Sequence, residues 1–398
     1  MARVPPYFTW FQRLRDLADV IIVDQRGLGR SAPVLDCPFA ASLPDSLFLV
    51  PGQLVAAFRS QVAACAERWR AQGSEPTAYS TVESADDVDD LRGALGIPRI
   101  DVVAFSYGTR LALAVLQRHE PHVRRLVLQG VNGPGLVIKR PVAVTRKLEL
   151  LGHLLAQDSL WPNPTDLVAA ARAARDRLAR GPTTITILDR RTGDSLSLPV
   201  GVYGFDAIAA LSLDDPRLPA LLVSVSAGDD RLLGRMAEAV WNGLATGTVG
   251  LMARAVNCSA DRPEPRWRAS IDDAATVPLG APVDNEFLTD AFCRAAGFDT
   301  SPIEFPQPVR SSRPALLLTG TLDATNPSEN ARAVAIGLTR ATLLDVHNAP
   351  HEALTVPAVQ DAIVAFLEGQ AVSSLHLEAE PPRFPTLQAA LSPAQPNR

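Results

Sequence analysis

Residues Ile100 to Leu116, reading IDVVAFSYGTRLALAVL, constrain the fold more tightly than any other stretch of this chain. Val102, Val103, Ala104 and Phe105 are apolar without alternation, the pattern of a strand covered on both faces in a parallel sheet. From Gly108 the pattern changes to Leu111, Ala112, Leu113, Ala114, Val115 and Leu116, good helix formers that a sheet would bury almost completely. Ser106 stands at the junction. A polar residue at a strand-to-helix turn with small neighbours is the nucleophile elbow, G-x-S-x-G, in which a strained turn carries the serine hydroxyl clear of the sheet. Here the first glycine is Ala104, so the motif reads A-F-S-Y-G with one methyl group more than the consensus.

The flanking sequence extends this pattern. Val20 to Val23 reads as a short buried strand that runs into Gln25-Arg26-Gly27-Leu28-Gly29-Arg30-Ser31. That loop lacks the lysine of a Walker motif and does not meet G-x-G-x-x-G, which argues against nucleotide binding. Gln53 to Trp69 is an amphipathic helix. Ser80-Thr81-Val82-Glu83 is a capping box for the next one, whose stripe is Val82, Ala85, Val88, Leu91 and Leu95 and which Gly96 and Pro98 end. Asp86, Asp87, Asp89 and Asp90 on that helix are read as a solvated face rather than a cation site. Val123 to Gln129 is another buried strand, so the chain alternates strand and helix as a parallel sheet with helices on both faces requires.

The rhythm breaks between Asn132 and Arg313. Thr165 to Arg180 is helical, Thr183 to Leu188 and Ser195 to Val200 form a hairpin around Thr192-Gly193-Asp194, and helices follow near Asp206 and from Leu232 to Leu244. This is the pattern of an inserted, mainly helical lid, with proline-rich edges near Pro263 and from Pro302 to Pro314. Strand Ala315 to Thr319, helix Asn330 to Leu338, strand Thr342 to Val346 and helix Pro357 to Leu367 restore the sheet pattern. The expected division is a core over 1–132 and 313–369, a lid over 133–312 and a proline-rich tail over 370–398 that is mobile or draped on the surface.

Composition narrows the partners. With 398 residues, 47% hydrophobic and 20% charged, the chain has material for a large core. A net charge of -5 and no basic stretch argue against nucleic acid or an anionic membrane. No apolar run approaches the length of a membrane span, and Met1 to Asp19 lacks the apolar core of a signal peptide. None of Cys37, Cys65, Cys258 and Cys293 has metal-ligand spacing and the histidines do not cluster with them, so zinc is set aside and no cofactor is expected. The cysteines fall two and two along the chain, which leaves two local disulfides and four buried thiols both open.

Three polar residues are expected at the C-terminal ends of parallel strands, where open α/β sheets place their ligands: Ser106, Asp323 and His351. A serine hydroxyl needs a base to become nucleophilic, and the base needs an acid to fix its tautomer and balance its cation. Asp345 and His347 are rivals for acid and base. Asp345 falls within a strand, and His347 lies close to that strand's end.

The chain resembles an α/β-hydrolase of the prolyl iminopeptidase and tripeptidyl aminopeptidase family from about Val20 to Leu367. The resemblance is carried by DQRGLGRS (Asp24 to Ser31), FSYGT (Phe105 to Thr109), VNCSAD (Val256 to Asp261), GTLDATNP (Gly320 to Pro327) and APHEAL (Ala349 to Leu354). It implies an α/β-hydrolase fold and release of a short N-terminal peptide or single residue through an acyl-enzyme on Ser106, with His351 and Asp323 completing the triad and the Tyr107 amide in the oxyanion hole. It also implies an extracellular or envelope location, beside which a cytoplasmic one stays open, and the pairs Cys37 with Cys65 and Cys258 with Cys293. The lid would hold the substrate's ammonium group with carboxylates. Asp229, Asp230, Glu238, Asp284 and Glu286 are available, and spacing singles out none of them.

In that family a glycine-rich HGGPG-type loop precedes the DQRG strand and supplies a second oxyanion amide, and Met1 to Trp10 contains no glycine. The strand before that loop would lie between the DQRG strand and the elbow strand. The chain is therefore expected to be an N-terminally incomplete version of a longer protein, with N-terminal strands missing. Loss of one oxyanion donor would cost about 3 kcal/mol. An esterase or lactonase using the same triad, and a catalytically weak or silent hydrolase-fold protein, remain the alternatives. The substrate is expected to be a small peptide or ester, and the oligomeric state is not legible.

Overall fold

Among the described residues, mainly apolar runs of the sequence assemble into a five-stranded parallel sheet. The computed structural model describes residues 5–39, 42–161, 165–280, 283–298, 308–372 and 377–392. In chain order the strands are β1 (Asp36–Pro38), β2 (Ile100–Phe105), β3 (Val123–Gln129), β4 (Thr183–Leu188), β5 (Ser195–Val200), β6 (Thr248–Gly250), β7 (Ala315–Gly320), β8 (Ala341–His347) and β9 (Leu377–Glu378). The main sheet has the order β2-β3-β7-β8-β9, and each neighbouring pair is parallel. β4 and β5 form a separate antiparallel hairpin, and β1 pairs antiparallel with β6.

Successive side chains of β3 and β7 enter different cores, which is why these strands read as continuous apolar runs. Leu126, Leu128, Ala315 and Leu317 pack with Leu113 and Leu116 on one face. Val127, Leu316 and Leu318 pack with Val359, Ile363 and Phe366 on the other. The alternation of a strand is thus present in direction and absent in polarity. The second face is also covered by α1 (Pro5–Leu14), which buries Tyr7, Trp10 and Leu14 there. The first is covered by α3 (Thr81–Ala94) and α4 (Tyr107–His119), between which α3 is started by Ser80, whose hydroxyl accepts the Glu83 N–H at 3.3 Å.

The third and largest core joins the part of the chain between β3 and β7 to an earlier segment. Leu54, Val62, Cys65 and Trp69 of α2 (Gln53–Ala71) pack in one cluster with Leu178, Phe205, Leu221 and Trp241. Two disulfides, Cys37–Cys65 and Cys258–Cys293, lie within it, with Cα separations of 5.9 and 5.3 Å. Arg110 of α4 donates to the Val256 carbonyl at 2.7 Å, which ties the elbow helix to the segment that bears Cys258.

Five expectations are corrected. Val20 to Val23 is not a strand: it has no regular structure and Ile22 is 52% exposed, because among the described residues no neighbouring strand supplies its backbone with a ladder. β2 is not buried on both faces along its length. It is an edge strand, paired with β3 alone among the described residues, and most of it is half-buried. The stripe of α3 also stops short, leaving Leu95 54% exposed.

The aspartates of α3 are not simply solvated, since Arg26 grips Asp87 through two bonds of 2.6 Å and Asp86 and Asp89 meet arginines and histidines of their own. The tail, finally, is partly built into the fold. β9 extends the sheet, Phe384 is buried in the largest core, and Trp161 donates its indole N–H to the Phe384 carbonyl at 3.3 Å. Of the proline-rich edge, Pro302 to Pro306 lie outside the described residues.

Candidate active site

Ser106 sits where β2 ends and α4 begins, with φ 53° and ψ -123°. A non-glycine residue at positive φ stores strain of about 1–3 kcal/mol, and the surroundings must hold it there. They do so by hydrogen bonds. The Ser106 N–H donates to the Gln129 carbonyl at 3.0 Å, and the Ser106 carbonyl accepts from the Thr109 N–H at 2.9 Å and the Thr109 hydroxyl at 2.6 Å. The methyl of Ala104 fits without crowding, because even an ideal Cβ added to Gly108 would stand 3.8 Å away from it.

His351 reaches Ser106 from the loop after β8. Its Nε2 lies 2.9 Å from Ser106 Oγ and its Nδ1 2.9 Å from Asp323 Oδ2. The carboxylate accepts only, so Nδ1 carries a proton toward Asp323 and Nε2 presents its lone pair to the serine hydroxyl. The Asp323 side chain is fully buried and that of His351 15% exposed. The second oxygen of Asp323 accepts the N–H groups of Thr325 at 2.9 Å and Asn326 at 2.7 Å, so the carboxylate has partners on both oxygens. The arrangement can take a proton from Ser106 and return it to a leaving group. Tyr107 is the first residue of α4, so its backbone N–H lies in the first turn of that helix, immediately after Ser106.

The rivals lie elsewhere. Asp345 is within β8 and accepts the Thr319 hydroxyl at 2.7 Å, and His347 is the strand's exposed last residue.

Two glycines make the loop geometry possible. Gly130, at φ +62°, follows β3, and an ideal Cβ there would stand 3.0 Å from His351 Cε1. Gly320 ends β7, and a side chain there would run into the Ala349 and Pro350 carbonyl oxygens. Sequence reasoning missed the residues that support these loops. Gln129 is buried and donates to the His351 carbonyl at 2.9 Å. Asn326 donates to the Gly130 carbonyl at 3.0 Å and accepts from Lys139 Nζ at 2.8 Å. Burial lowers the Lys139 ammonium to a pKa of about 8, against the pull of Asp284 and Asp323. Its rarity was the available signal, since Lys139 and Lys147 are the chain's only lysines.

The five acidic candidates separate. Asp229, Asp230 and Glu238 border a groove beside β4, and each has a partner: Arg231, Arg177 and the Leu188 N–H respectively. Glu286 accepts the Tyr203 hydroxyl at 3.1 Å. Asp284 instead borders a cavity of about 50 Å³ together with Lys139, Asp206, Ala324 and Thr325, next to the Asp323 loop. Asp206 was not foreseen, and burial pushes its carboxyl up to about 6 although Arg175 stands 3.2 Å away.

Comparison with known proteins yields two family matches: "alpha/beta hydrolase fold" over residues 6–161 and "TAP-like protein" over residues 281–373. The tripeptidyl aminopeptidase of Streptomyces lividans is 32% identical over 124 residues, 29% of this chain and 22% of that protein. The YuaR protein of Escherichia coli (strain K12) is 32% identical over 136 residues, 32% of this chain and 25% of its own length. The chain therefore spans about a quarter of the length of the curated relatives it matches. Among solved structures, a thermophilic esterase from Thermogutta terrifontis is 14% identical with a TM-score of 0.35, covering 92% of this chain and 85% of that one. No helix among the described residues is long and apolar enough to cross a membrane.

Proposed function

We propose that this chain, which belongs to the α/β-hydrolases and carries a TAP-like C-terminal segment, is a serine hydrolase that releases short peptides or single residues from a substrate's free N-terminus. The reading is carried by the unbroken relay from Ser106 Oγ to His351 Nε2 and from His351 Nδ1 to Asp323, with 2.9 Å at each link. Ser106 attacks the scissile carbonyl while His351 takes its proton, and the Tyr107 N–H donates to the oxyanion. Collapse of the tetrahedral intermediate leaves the acyl group on Ser106 and passes the proton from His351 to the leaving amine. Water then attacks the ester, with His351 again the base. The aminopeptidase part of the reading is supported by the TAP-like match and the tripeptidyl aminopeptidase relatives.

Asp284 is the carboxylate proposed to receive the substrate's ammonium group, since it borders the cavity beside Ala324 and Thr325. The two buried disulfides support an oxidising compartment as the place of work.

The test is hydrolysis of Ala-Ala-Ala, Pro and Ala anilides, their amino-blocked versions and p-nitrophenyl butyrate, with Ser106→Ala as control. Turnover of free-amine substrates alone, lost in the alanine variant, supports the proposal. Turnover of the butyrate alone moves the protein to the esterases, and silence on the whole panel overturns the catalytic reading.

A further inference from the structure

Both ring nitrogens of His119 face carboxylates. Nε2 lies 2.7 Å from Asp86 Oδ1, and Nδ1 lies 3.5 Å from Asp89 Oδ2. A neutral imidazole offers one N–H and one lone pair, so one of these contacts sets a lone pair against a negative oxygen unless a cation stands between them. His122 converges on the same place, its Nδ1 2.7 Å from Asp89 Oδ1. One ligand atom from each of Asp89, His119 and His122 lies within 4.8 Å of the others, and all three residues are half-buried.

We propose that Asp89, His119 and His122 bind one divalent cation of the zinc class, with water in the fourth position. Two imidazole nitrogens and one carboxylate oxygen suit zinc better than magnesium or calcium, which prefer all-oxygen sets. Zinc sits about 2.0–2.2 Å from such atoms, which places neighbouring ligands roughly 3.4 Å apart. His122 Nδ1 now lies 2.7 Å from one Asp89 oxygen and His119 Nδ1 3.5 Å from the other, and with one ligand atom of each residue within 4.8 Å of the others the three side chains must draw together only slightly around an ion.

The surroundings are those of a supported site. Asp86 fixes the His119 ring through Nε2, as carboxylates do behind metal-bound histidines, and is itself held by Arg118 through two bonds of 2.7 Å. Arg92 holds Asp89 at 2.7 Å, and a carboxylate has lone pairs enough to accept from it and bind a metal ion together. The site is remote from the chemistry. Ser106 precedes the first residue of α4 and His119 is its last, which at about 1.5 Å per residue separates them by roughly 20 Å. The ion would therefore staple α3 to the end of α4 and act on stability.

The experiment uses the full chain without a histidine tag, stripped with chelator and titrated with zinc chloride by calorimetry, with thermal melts and cobalt absorption in parallel. Expected are one zinc per chain, a raised melting temperature and the visible bands of four-coordinate cobalt. His119→Gln and His122→Gln should each abolish these, Asp86→Asn should weaken binding about 10- to 100-fold, and His351→Gln should leave it intact. Circular dichroism identifies any variant that fails to fold, and because the two histidines are tested separately one folded variant decides the matter. Absence of uptake by the folded wild-type chain, or undiminished uptake by a folded His119→Gln or His122→Gln variant, overturns the proposal. So does stabilisation by mild acid without any metal uptake, which would assign the missing cation to a proton on His119.

Discussion

Replacing Gly130 by alanine tests how tightly His351, the proposed base, is held. An ideal Cβ at Gly130 stands 3.0 Å from His351 Cε1 and 3.2 Å from Nδ1, whereas 3.4 Å marks ordinary contact. The backbone has little room to yield, because the Gly130 N–H donates to Leu318 and its carbonyl accepts from Asn326, each at 3.0 Å. The ring must therefore recede by about 0.4 Å, and its 2.9 Å bond to Ser106 Oγ lengthens or tilts. A misplacement of 1 Å costs on the order of 10²-fold in rate, so a loss of about 10-fold is expected. The positive φ adds a stability cost of about 1–2 kcal/mol for a residue with a Cβ.

The assay is the second-order rate of Ser106 labelling by a fluorophosphonate, which needs the base but no matching substrate, read beside the melting temperature. Gly108→Ala is the informative contrast. The elbow motif demands glycine there, yet its φ is not in the left-handed region and a Cβ would meet only Ala104 Cβ at 3.8 Å. It should be the milder change. An unaltered labelling rate in Gly130→Ala, or a larger loss in Gly108→Ala, would refute the reasoning.

Asp323→Asn should lower kcat by on the order of 10³–10⁴ with little change in melting temperature, because an amide next to Nδ1 favours the wrong tautomer; a loss below 10-fold would remove Asp323 from the relay. Asp284→Asn should raise KM for free-amine peptides and leave ester turnover unchanged; an equal effect on both would sink the proposed ammonium contact. Lys139 has a folded pKa of about 8 against 10.5 when unfolded. Between these values the unfolded chain binds the extra proton, so stability from this group rises with pH through that window. The burial penalty it relieves is about 3 kcal/mol. Lys139→Met should flatten that part of the wild-type profile of denaturant midpoint against pH, and an unchanged slope would contradict the assignment. Reducing the disulfides, which close loops of 28 and 35 residues, should cost about 3–4 kcal/mol each; urea melts with and without reductant measure it.

What the sequence determined by itself was local. The candidate triad was legible as polar residues just past three mainly apolar runs, because the end of such a run is marked where polarity returns, although of the three strands only β7 is buried along its whole length. Caps and turns were legible for the same reason, as with Ser80 at the start of α3 and the hairpin at Thr192-Gly193-Asp194. Tertiary structure decided everything that depends on a neighbour. Val20 to Val23 has strand composition and no strand, since composition cannot supply a hydrogen-bonding partner. Phe384 is buried although its surroundings read as tail, because Trp161 and the largest core receive it.

Charge was the hardest property to read in advance. Asp89, apparently one carboxylate on a solvated face, meets His122 from 33 residues away only because α3 packs against the elbow helix. Lys139 meets Asn326 across 187 residues. Periodicity reports which face of an element is buried, since that is written along the element itself. Which charges face each other depends on how separate elements dock, and only the folded chain contains that information.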